Sequence, residues 1–321
     1  MTTWLVTGGA GYIGAHVVHA LTASGRRAVV FDDFSSGLAS RIPVGTPVVR
    51  GSVLDQEVLT AALTEFGIDG VVHLAAKKAV AESVEHPLYY FRENVGGMLS
   101  LLDAMRETGV GRLVYSSSAA VYGEVDENPI SELSDLRPQS PYGETKVIGE
   151  WMARDSGVAW GLSWAALRYF NVAGAGSDDL GDNSIANLIP MVFSAMDRGQ
   201  RPRVFGDDYR TPDGSCIRDY VHVVDLAEAH VAAADLCERG TAQGAYNVGR
   251  GVGSSVLEVL AVVESVTGVN LDAEVVGRRL GDPPASFAAT ARIEQEFGWR
   301  ASRDLPAMVS SAWSAWQAHR A

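Results

Sequence analysis

The sequence predicts an α/β protein: a doubly wound parallel sheet followed by a smaller C-terminal α/β domain. Three observations point there. Short continuous apolar runs alternate with segments whose apolar residues recur every three or four positions. The first run leads straight into a glycine-rich turn, Gly8-Gly9-Ala10-Gly11-Tyr12-Ile13-Gly14. The second half then changes character, with Gly- and Asp-rich stretches at 173–183 and 206–214. Strands that are apolar on both faces belong to a parallel sheet covered by helices on both sides.

Residues 3–7 read as the first strand. Ile13, Val17 and Leu21 mark one apolar face of a helix, and Gly25 stops it. Residues 28–31 give the second strand, which ends at Asp32, and 47–50 give the third. A helix over 55–66 and a strand over 70–74 follow. A long helix is expected over 87–108, opening on Pro87, where a missing N–H costs least. Next come a strand at 112–115, a helix at 141–155 and a strand at 162–168. Helices are expected at 185–197, 224–237 and 256–267. The domain boundary is placed near residue 172, giving 1–172 and 173–321, with segments near 219–235 free to pack back on the first. No flexible linker marks it, so a cleft between closely joined halves is expected.

Composition narrows the function. The 321 residues are 47% apolar and 20% charged, a globular balance. The two cysteines, Cys216 and Cys237, lack metal-type spacing, and the seven histidines show no ligand pattern, so no metal is expected. With 39 acidic against 26 basic residues the formal charge is −13, which disfavours a nucleic-acid partner. An anionic small ligand is still allowed, since local Arg residues and helix N-termini can hold a phosphate. No apolar run approaches the roughly 20 residues that span a bilayer. The first residues lack a basic stretch followed by an apolar one, so a cytoplasmic protein without a membrane partner is expected.

Gly8, Gly11 and Gly14 are spaced to make a tight turn, to admit a pyrophosphate and to bring helix against strand. The helix start then offers free N–H groups to phosphate oxygens. Asp32 lies 18 positions beyond Gly14, near the usual separation for a carboxylate that accepts from the adenosine ribose. With Asp33 beside it, a 2′-phosphate would be repelled, so the expected cofactor is NAD rather than NADP. Further along, Tyr142 and Lys146 stand four apart at a helix start, hence on one face. A lysine ammonium near the phenol, or near a cofactor ribose between them, would lower the tyrosine pKa towards the working range. Such a tyrosine takes a proton from an alcohol while hydride leaves the same carbon. Ser116, Ser117 and Ser118 follow the fifth strand, at the sheet edge where ligands bind.

The glycine turn, Asp32, the serines and the Tyr142/Lys146 pair together resemble the extended short-chain dehydrogenase/reductases, whose nucleotide domain is Rossmann-type. More narrowly they resemble the UDP-glucose 4-epimerases, also called UDP-galactose 4-epimerases. The likeness runs through residues 6–14, 74–84, 116–123, 138–146, 167–171, 205–209, 218–226, 246–253 and 278–284. It implies one tightly held NAD, Ser118 as the active serine, and Tyr142 as the base that deprotonates the sugar O4 while Lys146 tunes it. On the cofactor side it implies Gly8, Gly11, Tyr12, Ile13, Gly14, Asp32, Asp33, Phe34, Ser35, Ser36, Ser52, Val53, Leu74, Ala75, Ala76, Lys78, Ser116 and Phe170. Ser52 stands where the family usually has Asp, so its grip on adenine is expected to be weaker. On the UDP-sugar side it implies Ser118, Tyr142, Asn171, Asn187, Leu188, Val204, Phe205, Arg218, Arg279, Asp282 and Ser286. Arg218 and Arg279 would clamp the diphosphate, since a guanidinium fork fits phosphate oxygens in pairs.

Ser286 replaces a bulky tyrosine found in many of these enzymes. The space it frees suggests that N-acetylated UDP-sugars are accepted beside UDP-glucose and UDP-galactose. A homodimer is implied as well, built from the helices near 87–108 and 141–155, with Val95, Met98, Leu99, Leu101 and Leu102 more apolar than one core-facing stripe needs. Two rival readings belong to the same superfamily. A 4,6-dehydratase would need acids just after the serine, where Ala119-Ala120 stand, and a decarboxylase would need a partner for a C6 carboxylate. A non-catalytic NAD-sensing module predicts a broken Tyr–Lys pair.

Overall fold

A computed structural model of the chain describes residues 1–125, 127–279 and 281–319. The first part runs β1 (Thr3–Thr7), α1 (Tyr12–Ala23), β2 (Arg27–Asp32), β3 (Val48–Arg50), α2 (Gln56–Glu65), β4 (Gly70–His73), α3 (Val80–Glu85) and α4 (Pro87–Tyr90). It continues through a π-helical turn, Phe91–Gly96, into α5 (Gly97–Thr108), then β5 (Arg112–Ser118), α6 (Pro141–Trp160) and β6 (Ser163–Tyr169). After that come β7 (Asn171–Ala173), α7 (Leu188–Asp197), β8 (Arg203–Phe205), β9 (Ile217–His222), α8 (Val223–Glu238) and β10 (Gln243–Val248). The chain ends with β11 (Gly253–Ser255), α9 (Val256–Thr267), β12 (Glu274–Val276), β13 (Ala285–Ser286), α10 (Ala291–Phe297) and α11 (Leu305–Ala318).

Seven parallel strands form the main sheet in the order β10-β6-β5-β4-β1-β2-β3. Side chains alternate across each strand, so the two faces can be read residue by residue. Trp4, Val6, Val30, Val72, Val114 and Leu167 point to one face, where α1 and α8 cover them with Val17, Leu21, Leu226, Ala229 and Ala233. Leu5, Val29, Phe31, Val71, Leu113 and Ala166 point to the other, under Leu59, Leu63, Met98, Leu101 and Met105 of α2 and α5. Residues 223–248 thus return from the second half to finish the first sheet.

The helix expected over 87–108 is present, but it carries the π-helical turn at its middle. Such turns often sit beside functional sites. Here it buries Asn94, whose amide accepts from the Lys77 backbone N–H at 2.8 Å and donates to the Lys77 carbonyl and to Thr145 Oγ1, each at 3.0 Å. The helix expected from 185 begins instead at Leu188. Asp182 holds the preceding residues as a loop, accepting from the Ser184 N–H at 3.0 Å and from Asn187 Nδ2 at 2.7 Å.

Beyond the carboxyl ends of the main strands lies a smaller layer. β9 pairs with β11 on one side and with β13 and β7 on the other. β8 and β12 form a separate pair. Phe193, Val204, Tyr220, Val263, Met308 and Val309 pack into its core.

Candidate active site

β1 is the point where the strand order reverses: its successors β2 and β3 lie to one side, and β4 to β6 to the other. Ligands bind in the crevice that such a reversal opens at the strands' carboxyl ends. A cleft of ≈510 Å³ lies there. Gly8 turns with φ +70°, and a Cβ on it would come 2.8 Å from the Ala75 nitrogen beyond β4. Gly14 is tighter still, since a Cβ there would meet the Gly8 carbonyl at 2.0 Å. Gly11 gives α1 no side-chain cap, which leaves the first amides of that helix facing the cleft.

At the other end of the cleft Asp32 Oδ2 accepts from the Ala10 N–H at 2.9 Å and Oδ1 from the Phe34 N–H at 2.8 Å. Burial raises its pKa, and those two N–H groups oppose the shift. The carboxylate is fixed in place with lone pairs to spare for ribose hydroxyls. An uncapped helix start and an anchored carboxylate across a cleft of this size fit a dinucleotide.

Of the expected cofactor residues, Gly8, Gly11, Tyr12, Ile13, Gly14, Asp32, Asp33, Ser35, Ser36, Ser52, Val53, Leu74, Ala75, Ala76, Lys78, Ser116, Tyr142 and Lys146 line this cleft. Phe34 does not; it adopts φ +60° and faces the Arg50 guanidinium, 5.9 Å from its ring centroid. Phe170 does not line it either. It is buried with Val121, Tyr122 and Ile130, and Tyr169, the preceding residue in an alternating strand, takes the cleft-facing position. Arg41, Lys77, Asp182, Asn183 and Ser184 also line it, and none of them was among the residues expected from sequence.

β5 runs further than expected and carries all three serines, each with a different partner. Ser116 Oγ bonds the Tyr169 hydroxyl. Ser117 Oγ donates to Glu150. Ser118, at the strand end, accepts from the Ala120 N–H at 3.2 Å, and its hydroxyl lowers the pKa of Tyr142. Ser140 and Pro141 start α6: the Ser140 hydroxyl accepts from the Gly143 N–H at 3.2 Å, and Pro141 occupies the first helical position. Tyr142 therefore sits in the first turn, with Lys146 one turn on.

Lys146 Nζ donates to the Ser116 carbonyl at 2.8 Å and lies 5.7 Å from the Tyr142 ring centroid. Burial pulls its pKa down to about 7, against the pull of Glu150. Tyr142 moves the opposite way from the sequence expectation: burial raises its pKa, and only the Ser118 hydroxyl lowers it. The lysine is held by a carbonyl beneath the ring and its own charge is penalised, so it does not offset the burial of the phenol here.

The residues expected to hold a nucleotide sugar gather on the smaller layer. Asn171, Asn187 and Leu188 line a hollow of ≈150 Å³ that shares Tyr12, Asp182 and Asn183 with the cofactor cleft. Arg218 is paired in register with Ser286 across β9 and β13. Its Nη1 donates to the Pro283 carbonyl at 2.8 Å, and Nη2 lies 3.4 Å from Asp282. The Arg279 guanidinium stacks on Phe205, 3.8 Å from the ring centroid. Val204 differs from expectation: its side chain is in the core, leaving only backbone to face a ligand. Leu280, within the matched stretch 278–284, lies outside the described residues.

The histidines have structural partners. His73 bonds Thr7 Oγ1 at 2.7 Å, His222 accepts from the Val224 N–H at 3.1 Å, and His230 bonds the Leu226 carbonyl at 2.8 Å. Among the described residues no cluster could hold a metal, and no helix is long and apolar enough to cross a membrane.

A model of the NAD dependent epimerase/dehydratase family matches residues 4–249. A UDP-glucose 4-epimerase of Azospirillum brasilense is 45% identical over 318 residues, covering 97% of this chain and 90% of its own. Among solved structures, a UDP-glucose-4-epimerase from Stenotrophomonas maltophila with bound NAD and formylated UDP-arabinopyranose superposes with a TM-score of 0.96 at 38% identity, covering 100% of this chain and 99% of the other. The UDP-Glc/GlcNAc 4-epimerase of Campylobacter jejuni gives 0.88 at 34% identity, over 99% and 100%. The shared fold, the strand-reversal cleft and this breadth of identity make the chain a member of the NAD dependent epimerase/dehydratase family.

Proposed function

We propose that the protein inverts C4 of a UDP-hexose, interconverting UDP-galactose and UDP-glucose, with NAD as the cofactor. The observation that carries this reading is the placement of Tyr142 and Lys146, one turn apart at the start of α6, in the wall of the dinucleotide cleft, with the Ser118 hydroxyl lowering the tyrosine's pKa. When bound, NAD supplies a nicotinamide carbon that accepts a hydride from sugar C4 and later returns it. Tyr142 takes the O4 proton as base and gives it back as acid. Ser118 holds that oxygen between the two steps.

Lys146 keeps a positive or proton-donating group under the phenol. Ser116 presents its carbonyl to Lys146, so the lysine is fixed before substrate arrives. Inversion requires the 4-keto sugar to turn over while its nucleotide stays put. Arg218 and Arg279 would clamp the diphosphate, and Asp282 would accept from the uridine ribose. In this reading small residues, Ser118, Ala119 and Ser286, would flank the hexose and leave it room to turn. Ala119-Ala120 provide no acid for eliminating water, which argues against a dehydratase.

A second reading extends the substrate class to UDP-GlcNAc and UDP-GalNAc, because Ser286 stands opposite Arg218 with no bulk towards the sugar. The protein acts in this reading as a cytoplasmic homodimer, through Leu88 and Leu99 on α4 and α5 and Trp151 and Val158 on α6, all exposed apolar side chains. The division of labour assigns residues 1–172 to the cofactor and 173–321 to the UDP-sugar, with 223–248 completing the cofactor sheet. Incubation with UDP-galactose, without added NAD, should give UDP-glucose and no net NADH, and deuterium at sugar C4 should be retained. Loss of that deuterium to solvent would refute a hydride that leaves and returns.

A further inference from the structure

Arg41 closes the short turn Ala39–Arg41 after β2, and its side chain runs inward. It is only 5% exposed. Its Nη2 donates to the Gly181 carbonyl. Its Nε is sealed from solvent without a hydrogen-bond partner among the described residues; Nη1 has no partner either but is not sealed. The residue borders the cofactor cleft together with Gly11, Tyr12 and Ile13, next to the uncapped amides of α1. Asp182 is the nearest opposing charge, but its two oxygens are engaged by the Ser184 N–H and by Asn187. Among the described residues no carboxylate forms an ion pair with Arg41.

A buried guanidinium with a donor facing no acceptor is costly. An anion entering the cleft would meet the unpaired Nη1 hydrogens and offset the cost of the buried charge, and a phosphate oxygen matches that donor well. We propose that Arg41 is a cofactor-phosphate contact and a positioning residue: its unpartnered edge takes a pyrophosphate oxygen of the dinucleotide, while its other arm holds Gly181 and the loop that follows. That loop is a wall shared by two sites. Asp182 and Asn183 line both the cofactor cleft and the smaller hollow, and Asn187 at its end is among the residues assigned to the nucleotide sugar. Arg41 therefore ties the seating of the cofactor to the shape of the substrate side.

The proposal rests on the cofactor reading above, and binding measurements separate the two. The full chain, freed of any carried dinucleotide, is titrated with ADP-ribose, with adenosine and with 2′-phospho-ADP-ribose by calorimetry. Arg41→Met should weaken ADP-ribose by about 10–100-fold, the worth of a hydrogen bond to a charged group, and leave adenosine unchanged. Arg41→Lys keeps the charge but not the fork, and should lose about 3–10-fold on ADP-ribose alone. Should Arg41→Met fail to fold, the Lys variant decides by the same comparison.

Wild-type affinity for ADP-ribose in a folded variant overturns the proposal. So does an equal proportional loss on adenosine, which would make Arg41 a general support of the cleft. A wild-type preference for the 2′-phosphate that Arg41→Met abolishes also overturns it, by placing the guanidinium at the ribose. If the wild-type chain itself binds no ADP-ribose, the cofactor reading fails first and takes this one with it.

Discussion

Arg168 grips Glu150 with two hydrogen bonds, Nε to Oε1 at 2.8 Å and Nη2 to Oε2 at 2.6 Å, with both side chains buried. Glu150 lies one helical turn beyond Lys146 and also accepts from Ser117 of β5. Arg168 reaches on to the Tyr122 hydroxyl at 3.0 Å, which donates to Asn247 at 2.6 Å. One network thus fixes α6, β5, β6 and β10 behind the Tyr142–Lys146 pair. Removing one partner strands a buried charge. Arg168→Met should cost about 3–5 kcal/mol of stability, and Arg168→Met with Glu150→Leu should cost clearly less than the sum of the single changes. Urea denaturation of the four proteins measures this, and strict additivity would show that the pair acts as two independent groups.

Tyr142 is proposed as the proton acceptor. Tyr142→Phe keeps the buried ring and deletes only the hydroxyl whose pKa Ser118 lowers. Turnover of UDP-galactose should fall by about 10²–10⁴-fold, the usual worth of a positioned acid–base, with the unfolding midpoint nearly unchanged. Wild-type turnover would transfer the role to another group.

Much of this arrangement could be read locally. Gly8, Gly11, Gly14 and Asp32 lie within one β-α-β unit, and Tyr142 and Lys146 within one turn, so spacing alone places them. What sequence reasoning missed is non-local. Arg168 and Glu150 meet only because β6 lies beside β5 and α6 packs over both. Tyr169 and Phe170 differ only in which way a strand end points, and a one-residue offset exchanges them. The smaller layer is made of strands of two to six residues, and β7, β8, β11 and β12 have three each, too few to show a period. Arg41 was passed over because an isolated arginine after a turn ordinarily faces water, and nothing near it in sequence signals that Gly181 will arrive.

Ser286 makes the substrate prediction. Wild type should epimerise UDP-GalNAc as well as UDP-galactose. Ser286→Tyr should lower acetamido-sugar turnover by about tenfold or more through steric exclusion, while UDP-galactose turnover stays within a few-fold. Negligible acetamido-sugar activity in both proteins would remove the idea.

Of the apolar residues expected to exceed the core's needs on α5 and the turn before it, Met98, Leu101 and Leu102 are buried against the sheet, and Leu99 is left 54% exposed. Leu88 on α4, before the π-helical turn, and Trp151 and Val158 on α6 are also exposed. Leu99→Asp with Trp151→Asp should convert a dimer to a folded monomer in sedimentation equilibrium. A wild-type protein that sediments as a monomer would end the dimer proposal.

Acid stability follows from four buried histidines. Burial pulls the pKa of His16, His222 and His230 down to about 4 and that of His73 down to about 3. Each is neutral when folded and takes a proton on unfolding below its free value of about 6.5. Their contribution is therefore complete above pH ~6.5 and is lost as pH falls towards 4. Asp219 opposes them. Burial raises its pKa to about 6, so the folded form takes up its proton first and gains stability as pH drops. Glu238, held down to about 2 chiefly by Arg26 against its own burial, enters only below about pH 4.5. Between pH 6.5 and 4.5 the unfolded chain should thus bind about three more protons than the folded one, a slope approaching 4 kcal/mol per pH unit. Urea midpoints across that window measure the slope directly. A flat profile would mean that these imidazoles are protonated in the fold, which the single hydrogen bonds of His73 and His230 inside an apolar core do not support.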